Sequence, residues 1–174
     1  MPSDQRAAGR ANEVGGATRR GAGTPGPGTA PAKFSLVHEL KPRFRDTDAM
    51  GHVNNAVYVT YLEVARQEYW RLLDGTQDYV RVPFILAHVS CDFRSEARVS
   101  EILEIGMRCE WIGDKSFAFL YEIREKTSGR LVLEARTIQV CYDYGAKRSI
   151  PMPESLRRAL EALEGRNLTR STTT

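Results

Sequence analysis

The chain lacks any run of about 18 apolar residues, the length that a membrane-crossing helix needs, so no such span is expected. It is also poor in cysteine, with three in 174 residues: Cys91, Cys109 and Cys141. An odd number without metal-like spacing argues against a disulfide framework and against a cysteine zinc site. Each lies in a strand-like stretch, so reduced, buried thiols in a cytoplasmic protein are the expectation. A large excess of one charge is absent as well. The formal net charge of +3 is small and scattered, which gives no electrostatic footprint for a nucleic acid.

Residues 1–32 lack aromatics altogether and carry one large aliphatic after the start, Val14. They hold half of the glycines and half of the prolines of the chain. Such a segment buries too little apolar surface to offset the entropy of ordering it, so a disordered tail is predicted. Arg19-Arg20 is followed by Gly21-Ala22-Gly23-Thr24-Pro25 rather than an apolar core. A twin-arginine export signal is therefore rejected.

What remains is patterned like one folded domain over residues 33–164, with a frayed tail over 165–174. Phe34, Leu36, His38, Leu40, Pro42 and Phe44 alternate with more polar residues and predict a half-buried strand. Pro42 marks a strand end or an edge. A polar loop follows over 45–54. Tyr58, Leu62, Ala65, Tyr69 and Leu73 then fall at helical spacing, with Tyr61 and Leu72 beside them. A long helix from about Asn55 to Leu73 is predicted, capped by Asn54 or Asn55 and ending before Asp74-Gly75.

Four strand-like stretches follow, near 84–94, 102–112, 116–126 and 131–143. In the first, Ile85, Ala87, Val89, Cys91 and Phe93 are assigned to one face. Gly113-Asp114 and Ser128-Gly129 supply turns. Pro151 and Pro153 precede a short amphipathic helix over about Glu154–Leu163. The order β-α-β-β-β-β implies an α+β domain in which a five-stranded antiparallel sheet wraps one long helix. Open sheet edges invite a homodimer or homotetramer.

Chemistry concentrates in Asp46-Thr47-Asp48-Ala49-Met50-Gly51-His52-Val53-Asn54-Asn55. Two carboxylates, an imidazole and two amides stand directly before a helix. The first turn of that helix has free N–H groups and a partial positive charge, which would stabilise an oxyanion. A carboxylate beside it could act as a nucleophile or as a general base on water. Gly51 would allow a tight turn near a ligand. The same residues also serve as ordinary helix caps, a role that suffices for Asp46 or Asn54.

This stretch, with Tyr58 and Glu63-Val64-Ala65-Arg66 after it, resembles the signature of the 4-hydroxybenzoyl-CoA thioesterase family. The likeness covers about residues 34–143 and implies the hotdog fold and acyl-CoA hydrolysis. It places the catalytic carboxylate at Asp48 and the carbonyl-binding backbone N–H at Asn55, with His52 assisting and Gly51 and Tyr58 at the substrate. His52 is similar also to the catalytic histidine of plant acyl-carrier-protein thioesterases. Those enzymes carry an asparagine where this chain has Met50, and a Glu-Cys pair where it has Glu96-Ala97. Glu96 thus stays a candidate, and a cysteine mechanism does not. The turn Trp111-Ile112-Gly113-Asp114-Lys115-Ser116-Phe117 resembles one that the family uses near the pantetheine and phosphates of CoA, which implies Lys115 and Ser116 there. A thioester is already activated, so no metal or other cofactor is expected.

His38 and His88 are read as structural, and Glu63 with Arg66 as a helix-surface pair. Two rival functions remain. One is a non-catalytic acyl-CoA binder or sensor on the same fold; the other is a hotdog dehydratase, whose acid–histidine arrangement is not evident here.

Overall fold

The computed structural model describes residues 34–75 and 82–170. The expected tail over 1–32 lies outside them. The elements, in chain order, are β1 (Leu36–Leu40), a 3-10 turn (Phe44–Asp46), α1 (Asn55–Asp74), β2 (Phe84–Phe93), β3 (Leu103–Ile112), β4 (Ser116–Glu125), β5 (Leu131–Asp143), β6 (Arg148–Ser149) and α2 (Glu154–Glu164).

The sheet is antiparallel, with strands in the order β1-β3-β4-β5-β2, and the two-residue β6 pairs with β5. The five expected strands are thus present, and β6 is an addition. A two-residue strand is too short to show alternation.

The long helix forms as its apolar spacing predicts. Tyr58, Tyr61, Leu62, Ala65 and Tyr69 are all buried on one side. Asn54 caps the start, its side chain accepting from the Ala56 N–H at 2.9 Å. Gly75, at φ 67°, ends the helix in the left-handed conformation that glycine adopts without strain. Leu72, expected near the buried stripe, is instead 54% exposed. The inner face of the sheet supplies Leu103, Ile105 and Met107 from β3, Phe117, Phe119, Tyr121 and Ile123 from β4, and Leu133, Ala135 and Cys141 from β5. Burying side chains of this size contributes roughly 1.5–3 kcal/mol each.

Four local expectations are corrected. The first strand ends at Leu40, and Phe44 is exposed. The proline N has no hydrogen to donate, so Pro42 cannot extend the ladder. In β2, an irregularity between Leu86 and His88 shifts the register. Phe84 and Leu86 therefore pair with Cys141 and Gln139, and Val89, Cys91 and Phe93 pair with Thr137, Ala135 and Leu133. Ile85 and Ala87 fall off the shared face that strict alternation gave them, and His88 is exposed. Arg66 is buried, not on the helix surface. Residues 165–170 are not frayed. Leu168 is buried, and strand β3 exchanges backbone bonds with this segment through Ile112, Leu168 and Arg170. The Arg170 guanidinium also lies 4.4 Å from the Trp111 ring centre. Residues 171–174 lie outside the described residues. Cys109 and Cys141 are buried, Cys91 is half-buried, and all three are free thiols.

Candidate active site at the start of the long helix

The site begins with the loop that leads into α1. Thr47 and Val53 form an antiparallel bridge, and the chain reverses between them. The Asp48 N–H donates to the His52 carbonyl at 2.8 Å, and the Gly51 N–H to the Asp48 carbonyl at 3.1 Å. Gly51 sits at φ 78°, where a side chain would be strained. The turn is thus tight for the reason the sequence suggests.

Asp46 anchors this loop and is 3% exposed. Its carboxylate accepts from the Arg43 backbone N–H at 2.8 Å, from the Arg43 guanidinium at 3.1 and 3.0 Å, and from the Tyr61 hydroxyl at 2.9 Å. Its carbonyl accepts from the Asn54 N–H at 2.9 Å. The Arg43 side-chain bonds hold its pKa down at about 2, against the burial that raises it. Both oxygens of this carboxylate are held by scaffold donors, which fits a structural role.

Asp48 is half-buried and differently placed. Its Oδ1 accepts from the Met50 N–H at 2.9 Å and from the His52 N–H at 3.2 Å. Among the described residues, nothing donates to Oδ2. The first turn of α1 is equally selective. Asn54 Oδ1 takes the Ala56 N–H, and the Asn54 carbonyl takes the Val57 N–H at 2.9 Å. The Asn55 N–H has no hydrogen-bond partner among the described residues. Asp48 and Asn55 line one cavity of about 400 Å³, together with His52, Tyr58, Phe93 and Glu96.

The cavity wall opposite α1 comes from the segment after β2. The Val53 N–H donates to the Ala97 carbonyl at 2.8 Å, and His52 and Arg98 form a backbone bridge. Arg130 holds that segment in place. It donates to Ser95 Oγ at 2.7 Å and to the Glu96 carbonyl, and pairs with Glu101 at 2.7 Å. Tyr58 is buried at the base, edge to face with Tyr61 at 5.8 Å and with Phe93 at 5.5 Å. Burial above all pushes its phenol up to about 12, so it is a neutral hydroxyl at ordinary pH.

Five of the eight expected site residues therefore meet at this cavity: Asp48, His52, Asn55, Tyr58 and Glu96. Gly51 shapes the loop without lining it. The His52 ring does not bond the Asp48 carboxylate; its Nε2 faces the Arg98 guanidinium at 3.5 Å. Lys115 and Ser116 are not brought to the cavity of their own chain. They lie at the start of β4, while the segment 94–98 lies beside the start of β5, near the far end of β4. Ten residues of strand separate the two ends by about 30 Å.

Arg94, Ser95 and Arg98 were missed. Arg94 and Ser95 line the cavity, and Arg98 is bridged to His52 from a segment more than 40 residues away, a proximity that no local pattern encodes. The cluster of charges over Arg94–Arg98 at a strand end was the available signal.

The sequence profile of the thioesterase-like superfamily matches residues 42–160. The chain belongs to that superfamily. A long-chain acyl-CoA thioesterase of Escherichia coli, FadM, is 26% identical over 130 residues, which is 72% of this chain and 96% of that one. An acyl-CoA thioesterase of Haemophilus influenzae, YbgC, is 26% identical over 126 residues, covering 70% of this chain and 90% of that one. Among solved structures, a thioesterase of Thermus thermophilus with coenzyme A and zinc superposes with a TM-score of 0.70 at 29% identity, over 78% of this chain and 98% of that one. The fold expectation is met: this superfamily member has the hotdog fold.

Proposed function

We propose that the protein hydrolyses acyl-CoA thioesters, with Asp48 as the reacting carboxylate. One observation carries this reading. Asp48 and Asn55 line the same cavity, and among the described residues neither Asp48 Oδ2 nor the Asn55 N–H at the helix N-terminus has a hydrogen-bond partner. A thioester carbonyl seated on the Asn55 N–H gains stabilisation as its oxygen becomes negative. Asp48 Oδ2 then has two routes. It attacks the carbonyl carbon, expelling the thiolate and forming an anhydride that water cleaves. Alternatively, it takes a proton from the water that attacks. Both routes use the same atoms. The names of the FadM and YbgC relatives support CoA as the carrier.

A second copy of the chain completes the proposed substrate site. Among the described residues, β2 pairs with β5 alone, so its other edge is open. Leu86 and Phe93 on β2 itself are exposed. Antiparallel pairing of two β2 edges about a two-fold axis sets the Phe84 end of one against the Phe93 end of the other. Cys141, opposite Phe84, bonds the Lys115 carbonyl at 2.7 Å. Such a dimer carries Lys115 and Ser116 of one copy toward the Asp48 cavity of the other. There Lys115 would serve as a point charge for a CoA phosphate.

Incubating the protein with short, long and aromatic acyl-CoAs, and reading free thiol release, tests the reading. Turnover of at least one class well above the protein-free rate is expected. Binding of CoA without turnover of any would favour a non-catalytic acyl-CoA binder instead.

A further inference from the structure

We propose that Arg98 is a positioning residue that fixes the tautomer of His52. It keeps Nε2 unprotonated and leaves Nδ1–H as the hydrogen-bond donor that the ring offers to the cavity. The inference deepens the thioesterase reading and rests on it for its catalytic consequence.

The geometry starts at the backbone. His52 and Arg98 are directly bridged across the two segments, with the adjacent Val53 N–H bonded to the Ala97 carbonyl at 2.8 Å. This sets the two side chains beside each other. The Arg98 backbone N–H is itself held by Glu101 at 3.0 Å, and Glu101 by Arg130 at 2.7 Å. The Arg98 guanidinium then lies between two groups: Glu96 at 4.0 Å and His52 Nε2 at 3.5 Å.

A guanidinium has N–H donors, no acceptor, and stays charged at any relevant pH. Its contact with Nε2 is favourable only when Nε2 carries a lone pair. A neutral ring so held must carry its proton on Nδ1. Imidazole side chains in water prefer the other arrangement, with the proton on Nε2. Arg98 therefore reverses the intrinsic preference. The charged groups around the ring are Arg98 and Glu96 on the facing segment, with Glu101 and Arg130 behind them, and Asp48 on its own loop. Of these, Arg98 is the one in contact with a ring nitrogen. The Nδ1–H is left to donate to a ligand oxygen or to an attacking water.

Long-range proton–nitrogen correlation on the 15N-labelled full chain reads the tautomer directly. The chain has three histidines, and the His52 signals are those lost in His52→Gln. Spectra are recorded above about pH 7.5, where an ordinary imidazole is neutral. The wild type is expected to show a protonated Nδ1 and a bare Nε2. Arg98→Met is expected to shift the ring toward Nε2–H, and Arg98→Lys, which keeps a charged donor, to hold Nδ1–H. Acyl-CoA turnover should follow the same order, with Arg98→Met down by about tenfold and Arg98→Lys near wild type, at unchanged thermal midpoints. A wild-type His52 protonated on Nε2, or the same tautomer in all three proteins, would overturn the proposal. The spectra need no turnover. A chain that shows the Nδ1–H ring but hydrolyses nothing would overturn the thioesterase reading and leave this one standing.

Discussion

Asp46 and Asp48 stand one residue apart in a motif that offers both as carboxylates, and their surroundings separate them. Asp46 is wrapped by Arg43 and Tyr61 and holds the loop to α1. Its carboxyl titrates at about 2, down from 3.8. A folded-state pKa below the unfolded one means the native state prefers the charged form. The stabilisation is then fully present above about pH 4 and is lost as pH falls through the interval down to about 2. Arg43 is half exposed, which screens the pair. Asp46→Asn should cost on the order of 1–2 kcal/mol at neutral pH. The gap from wild type should narrow in urea melts taken from pH 4 down to pH 2. A gap independent of pH would show that the charge of Asp46 contributes nothing. Acyl-CoA turnover should change far less than stability, because this carboxylate is buried against Arg43 and Tyr61 and does not line the cavity.

At the scale of elements, the sequence was most informative where a period is long and unbroken. The helix over Asn55–Asp74 announces itself through Tyr58, Leu62, Ala65 and Tyr69 and through its cap and stop at Asn54 and Gly75. The pairing of β3, β4 and β5 follows from short turns between alternating stretches. Period-2 reasoning fails in β2, because one shifted residue after Leu86 moves the rest to the other face. The segment 165–170 was hidden for another reason. Leu168 is a single buried anchor among polar residues, and it reaches β3 across more than 50 residues of chain. Loop chemistry was half legible. Asp48, Gly51 and Asn55 lie within one short motif and could be read together. Arg98 meets that motif at His52, and Arg130 holds the facing segment at Ser95 and Glu96, only because the fold brings these distant segments back onto it.

For the whole molecule, the open β2 edge carries the main consequence. Its apolar neighbours Leu86 and Phe93 are 41% and 46% exposed in the single chain. An edge of this kind, ten residues long with apolar flanks, is a template for pairing. Sedimentation at micromolar concentration should find a dimer or a multiple of it. Placing a lysine at Leu86 should weaken the assembly and lower turnover together, because the cavity would lose the Lys115 turn of the second copy. A stable monomer with full activity would remove any role for Lys115 and Ser116. No helix among the described residues is long and apolar enough to cross a membrane.

Asp48→Asn tests the central assignment most directly. Asparagine keeps the size of the side chain and an oxygen to accept the Met50 and His52 N–H groups, so the loop should hold its turn. It removes the charge and the basic oxygen that attack or proton abstraction requires. Steady-state hydrolysis of the best acyl-CoA should fall by a factor on the order of 10² to 10⁴. Affinity for the substrate and the thermal midpoint should stay near those of the wild type. Equal turnover of the two proteins at equal stability would contradict the assignment of Asp48 as the reacting carboxylate.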